Sequence, residues 1–289
     1  LAMNPFSSRC CQHNHAQGWP YYSEHLILAT PDNGAAIALY AACKATLKVA
    51  DGQEITLHEQ TNYPFEEKIS FTVNTTEDVR FPFYLRIPSW CDQPELAING
   101  KQKEIDPIPG KYIYIDRTWT DGDKVELNLP MKLSIHTWQV NKNSVSVNYG
   151  PLTLSLKINE EYIQKDSRST AIYDSRWQEG ADATQWPSYE IFPKSPWNYA
   201  LVLDSKVPLK NFKVIRKEWP SDNFPFTVSN VPLEVKAIGK QIPSWTLDKY
   251  GLCSELPETN APKGDREEIT LIPMGAARLR VSAFPNTYE

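Results

Sequence analysis

No run of this chain is long and apolar enough to cross a bilayer as a helix. Nor is there a surplus of positive charge. Lys and Arg number 30 against 35 Asp and Glu, a net charge of -5. Phosphates could not be neutralised broadly, so a nucleic-acid partner is not expected. Glycine is modest at 12, and no Gly-rich phosphate loop or nucleophile elbow is present. Cysteine is sparse and odd in number: Cys10, Cys11, Cys43, Cys91 and Cys253. That is no disulfide framework, and the thiols are expected to be mostly reduced. Leu1 follows no signal peptide, which suggests a processed or trimmed chain. Localisation, bacterial periplasm or cytoplasm, cannot be read from that end.

What the chain does have is proline, 23 of 289 residues, with aromatics at 11% and many β-branched residues. Short strands joined by rigid loops follow from that mixture. Residues 1–17 read as polar and irregular. Over 18–29, Trp19, Tyr22, Leu26 and Ala29 fall at helical spacing, Pro20 suits a first turn, and Pro31-Asp32-Asn33-Gly34 ends the helix. The period then changes to two. Strands are expected at 36–40, 45–49, 54–59, 68–73, 83–87, 96–98, 112–116 and 124–129, with Asp51-Gly52, Asn99-Gly100 and Asp121-Gly122-Asp123 as turns. Beyond a boundary near 134–143 the style repeats. A long strand over 144–158 is interrupted at Gly150-Pro151, and others are expected at 200–204, 212–216, 233–238, 268–273 and 278–284. Between them lie an irregular aromatic segment, 159–198, and a polar loop, 254–267. The expected fold is mainly β: two antiparallel β-sandwich, jelly-roll-like domains at 35–138 and 139–289, after a short segment 1–34.

One stretch carries concentrated chemistry, Cys10-Cys11-Gln12-His13-Asn14-His15. A thiolate can be a nucleophile or a metal ligand, and a bound cation keeps it deprotonated. Zinc prefers four ligands in a tetrahedron, and adjacent cysteines cannot supply that alone. Buried or idle thiols are the competing reading. His13 and His15 tempt one to complete the site, but ligands so close in sequence rarely converge on one ion. Metal binding, substrate contact and a bystander role all stay open for them. Glu24 and His25 are read as a solvated helix face or a helix hydrogen bond. The aromatic segment could stack on sugar rings or pack over a sandwich. Asn74-Thr75-Thr76 is a formal glycosylation sequon.

The order of several motifs resembles glycoside hydrolase family 127, the β-L-arabinofuranosidase-like enzymes. The vicinal Cys10-Cys11 precedes a helix and an all-β half. Then come Glu59-Gln60-Thr61-Asn62-Tyr63-Pro64, Tyr84-Leu85-Arg86-Ile87-Pro88-Ser89-Trp90 and Ala97-Ile98-Asn99-Gly100-Lys101. Ile115 to Asp123, Leu129-Pro130-Met131, Tyr149-Gly150-Pro151-Leu152 and Leu271-Ile272-Pro273 complete the set. The resemblance implies an α/α toroid holding the active site, followed by two β-sandwiches, so that 1–34 would be the toroid's last remnant. It implies a cysteine nucleophile within a zinc site, with Cys10 matching the nucleophile and Cys11 the neighbouring zinc ligand. The remaining ligands and the acid/base Glu match nothing in this sequence. An oligosaccharide or plant polysaccharide is the implied substrate. The chain alone is expected to be inactive, and a homodimer could form through the face left by the toroid. The alternatives are a non-catalytic β-sandwich module, structural or carbohydrate-binding, and a split enzyme completed by another chain.

Overall fold

The computed structural model describes residues 10–169, 179–185, 187–249 and 251–289, with the backbone alone for 10–15. The chain is mainly β, with several antiparallel sheets and, among the described residues, one short α-helix. Two compact units divide it, Cys11–Lys132 and Leu133–Glu289. Among the described residues no helix is long and apolar enough to cross a membrane.

The first unit begins one residue into helix α1 (Cys10–Glu24). Ten strands follow: β1 (Ile27–Ala29), β2 (Ala35–Ile37), β3 (Cys43–Val49), β4 (Gln53–Thr61), β5 (Lys68–Thr75), β6 (Val79–Arg86), β7 (Glu95–Ile98), β8 (Lys101–Lys103), β9 (Tyr112–Trp119) and β10 (Asp123–Asn128). They form a four-stranded sheet, β1-β2-β6-β9, and a six-stranded sheet, β3-β4-β5-β10-β7-β8. Alternation along each strand gives each sheet an apolar inner face. Phe81, Phe83 and Leu85 of β6 and Ile69, Phe71 and Val73 of β5 join one buried cluster, so the two sheets make a sandwich. Phe71 and Phe83 meet edge to face across it, with ring centroids 5.6 Å apart. Trp119 is fully buried and donates its indole N–H to the Phe81 carbonyl at 3.0 Å.

The turn chemistry works as the sequence suggests. Asn99 and Gly100 have φ of 52° and 72°, the left-handed pair of a two-residue hairpin between β7 and β8. Gly34 serves another need. A Cβ there would stand 2.2 Å from the Pro82 carbonyl oxygen, so only glycine allows that close approach.

The helix lies earlier than its spacing predicted. It covers Cys10–Glu24, including residues expected to be irregular, and Pro20 sits inside it rather than in its first turn. Ile27–Ala29 is strand, paired with Ala35–Ile37 across the turn at 30–34. Strand pairing prevails because β2 in turn runs parallel to Phe83–Leu85 and so extends a buried sheet. The turn at 31–34 therefore closes a hairpin.

The second unit contains β11 (Leu133–Trp138), β12 (Ser144–Tyr149), β13 (Leu152–Leu156), β14 (Glu160–Lys165), β15 (Ser188–Pro193), β16 (Tyr199–Leu203), β17 (Lys213–Arg216), β18 (Leu233–Gln241), β19 (Arg266–Pro273) and β20 (Asn286–Tyr288). Eight of these form one sheet, β11-β12-β13-β19-β18-β16-β20 with β17 beside β18. In a flat sheet β12 and β16 would lie about 19 Å apart, four strand spacings. Yet Phe284 exchanges both backbone bonds with Val145 of β12, at 2.8 and 2.9 Å, and the Pro285 carbonyl accepts from Leu201 of β16 at 2.8 Å. The sheet must roll over on itself. Val147, Leu154, Leu203, Val235 and Leu271 fill the core it encloses.

Three expectations change here. Residues 278–284 form no strand beyond the isolated Val145–Phe284 bridge, and β20 runs parallel to β16 instead. The break at Gly150-Pro151 is present, but β11 occupies part of the stretch expected as a boundary. The aromatic segment is not wholly irregular, because β14 and β15 pair within it over six residues each.

Candidate functional site

Helix α1 brings Cys10 and Cys11 into its first turn. Their side chains, and those of His13 and His15, lie outside the described residues. At the other end of the helix, Trp19 and Tyr22 pack edge to face at 6.2 Å. Glu24 is exposed, and Nδ1 of His25 donates to the Tyr21 carbonyl at 2.6 Å. Solvent contact and a helix hydrogen bond are thus what these two residues do.

Tyr22 reaches the sandwich. It lines a small cavity of about 170 Å³ together with Tyr40, Tyr63, Arg86, Ser89 and Trp90. Tyr40 donates its hydroxyl to the Arg86 carbonyl at 2.5 Å, and its ring meets that of Tyr63 at 5.8 Å. Burial pushes the Tyr63 hydroxyl up to about 12, against the pull of the Arg86 charge.

Near this cavity is a buried carboxyl group that the sequence reading did not single out. Glu59 is 1% exposed. Its parity on β4 matches Ile55 and Leu57, so its side chain points into the sandwich with theirs. Oε1 accepts from the Ala41 N–H at 3.1 Å, and Oε2 accepts from the Cys43 thiol at 3.9 Å. Cys43 is its direct partner in the β3–β4 register. Burial raises the Glu59 pKa to about 8, although both hydrogen bonds oppose the rise. Burial raises the Cys43 thiol to about 11, and the Glu59 charge adds to it. The same two groups, after burial, raise the Tyr22 hydroxyl. Near neutral pH this is a cluster of protonated groups. It can donate hydrogen bonds but offers no activated nucleophile. A carboxylate at a core position of an alternating strand was the available signal for it.

Cys91 is buried, its thiol pushed up by that burial, and Cys253 is exposed; like Cys43, both are free. Among the described residues no three of His, Cys, Asp and Glu gather as metal ligands. These side chains do not by themselves fit a zinc ion. In the second unit the aromatic segment borders a cleft of about 680 Å³, lined by Tyr189, Phe192, Trp197, Leu252 and Arg280 among others. Trp197 also packs on the core and meets Trp245 at 5.0 Å. Tyr173, Trp177 and Trp186 lie outside the described residues. Asn74 of the sequon donates its side-chain amide to Asp121 at 3.2 Å.

Residues 34–131 match the family described as β-L-arabinofuranosidase, GH127 middle domain. That span, about a third of the chain, is GH127-like. The matched span covers most of the first unit, from the Gly34 turn to Met131, and includes Glu59 and Cys43. No curated relative matches. Among solved structures, the chain resembles a GH127 β-L-arabinofuranosidase from Geobacillus stearothermophilus T6, with TM-score 0.64 and 21% identity, over 99% of this chain and 38% of that one. It resembles a glycoside hydrolase, with TM-score 0.65 and 21% identity, over 97% and 40%. A GH127 β-arabinofuranosidase matches with TM-score 0.61 and 20% identity, over 96% and 38%. At these identities the likeness establishes the fold. The chain spans about two fifths of the length of the structures it matches.

Proposed function

We propose that this chain is the C-terminal part of a retaining glycoside hydrolase of the β-L-arabinofuranosidase type, acting on plant-type glycans. The observation that carries the reading is the match of residues 34–131 to the GH127 middle domain. Helix α1 supports it by holding Cys10 and Cys11 together just ahead of that span.

In this reading Cys10 is the nucleophile and Cys10 and Cys11 are zinc ligands. Zinc, when bound, would hold the Cys10 thiol as thiolate at neutral pH. The Cys10 sulfur attacks the anomeric carbon. A C–S bond forms as the glycosidic C–O bond breaks, and the leaving oxygen takes a proton from an acid. Water, losing a proton to the group that served as acid, then displaces the sulfur as thiolate, so two inversions retain configuration. In this reading the acid and the other zinc ligands are not among this chain's residues, and the chain alone is inactive.

The test uses the longer protein and an aryl β-L-arabinofuranoside. Cys10→Ala should abolish arabinose release, with native circular dichroism retained, and a Cys10→Ala, Cys11→Ala pair should lose bound zinc. Full activity in Cys10→Ala would overturn the mechanism. Unchanged zinc content in the double variant would remove both cysteines from the metal site.

A further inference from the structure

The outer face of the four-stranded sheet in the first unit carries aromatic rings where a solvated face ordinarily carries charges alone. On β6 the outward positions are Arg80, Pro82, Tyr84 and Arg86, alternating with buried Phe81, Phe83 and Leu85. On β9 they are Tyr112, Tyr114 and Asp116. Register places Tyr84 beside Tyr114 and Arg86 beside Tyr112. The Tyr84 and Tyr114 rings lie 5.1 Å apart, tilted by 54°. Tyr114 is 57% exposed and Tyr112 45%.

The Tyr84 ring is anchored at its hydroxyl. The Tyr84 hydroxyl donates to Asp32 at 2.6 Å, and the Asp32 carboxylate also accepts from Thr30. Arg80 grips Asp116 through two bonds, 3.2 and 2.9 Å. The charges of that pair are matched, so the platform offers hydrogen-bonding groups with little unbalanced charge. At its β9 edge the face runs into a cleft of about 450 Å³, lined by Leu96, Lys103, Glu104, Tyr114 and Asp116 among others. That volume lies within the usual range for small-ligand sites, about 300–1,000 Å³. Tyr114 belongs to both platform and cleft. A cross-strand tyrosine pair alone would stabilise the sheet. It would not account for exposed Tyr112 beside it, nor for a cleft opening from the same ring.

We propose that this face, from Tyr84 across Tyr114 into the β9 cleft, is a non-catalytic binding site for a neutral polysaccharide chain. Sugar rings have an apolar C–H face and a rim of hydroxyls. The C–H face stacks on tyrosine, while carboxylates and guanidinium groups take the hydroxyls. The ring spacing of 5.1 Å is on the scale of one sugar unit. Matched charge disfavours a polyanion. The proposal concerns binding by this chain and stands or falls separately from hydrolysis by Cys10.

The test is affinity electrophoresis of this chain in native gels containing soluble arabinoxylan, arabinogalactan or hydroxyethylcellulose. Retardation is expected in at least one. Tyr114→Ala should weaken it about tenfold, and Tyr114→Phe should keep it, because the stacking surface remains. Tyr162→Ala, in the other unit, should leave it unchanged. Thermal midpoints and near-ultraviolet circular dichroism confirm that each variant is folded. No retardation in any gel, or equal retardation in Tyr114→Ala, overturns the proposal. So does a dimer in sedimentation that Tyr114→Ala dissociates without any polysaccharide effect, since the face would then belong to a second copy.

Discussion

Glu59 makes a quantitative prediction. Its carboxyl titrates near 4.5 when solvated and near 8 inside the sandwich. A folded pKa above the unfolded one means that the native state binds more protons across that window. The contribution is fully present below about pH 4.5 and is lost as pH rises towards 8. Each pH unit costs about 1.4 kcal/mol, so the whole window amounts to roughly 5 kcal/mol. Glu59→Gln keeps an acceptor for the Ala41 N–H and a donor for the Cys43 sulfur, and it cannot ionise. The variant should match the parent near pH 4.5 and exceed its stability by about 4 kcal/mol at pH 8. Urea unfolding of both proteins at pH 5, 6, 7 and 8 measures the difference. Titrations shared by the two proteins cancel in it, and the neighbours Cys43, Tyr22 and Tyr40 stay neutral throughout, their pKa values being raised. A difference that does not change with pH, or a glutamine variant weaker at pH 8, would refute the buried-carboxyl reading.

Other outcomes follow from single contacts. Trp119→Ala should cost about 3–5 kcal/mol in urea unfolding, because it empties a site where the indole packs on Phe81 and Phe83 and strands the Phe81 carbonyl. Asp123 is pushed up by burial but held below the usual carboxylate range by Asn99, Thr120 and Arg117. Its contribution is present above about pH 4 and lost as pH falls through its lowered pKa, so Asp123→Asn should flatten the acid limb of a stability profile. Gly34→Ala should lower the thermal midpoint, because the added methyl collides with the Pro82 backbone. An unchanged midpoint would refute that close approach.

Much of the fold was legible because alternation is a local property. The β5 and β6 faces, the Asn99-Gly100 hairpin and the turn before Asp123 all follow from neighbours in sequence. Helix α1 was displaced for a different reason. Leu26 and Ala29 fit either a helix or a strand, and pairing with Ala35–Ile37 decided it. The β14–β15 ribbon was hidden because 22 residues separate Lys165 from Ser188, with no turn signal between adjoining strands. Of the candidate site, the sequence showed a cysteine pair and its resemblance. Glu59 was read only as the end of a strand, because its burial depends on β3 and the facing sheet, not on its neighbours in sequence.

By itself, then, the sequence determined which side chains share a strand face and where the chain turns, since both depend on residues a few positions apart. Tertiary structure decided that the second sheet rolls until Phe284 and Pro285 link β12 to β16. It also decided that Tyr84 and Tyr114 stand together in the open, and that Glu59 keeps its proton. Strand partners and solvent exclusion are set by residues far apart in the chain, and desolvation belongs to the whole surroundings of a group.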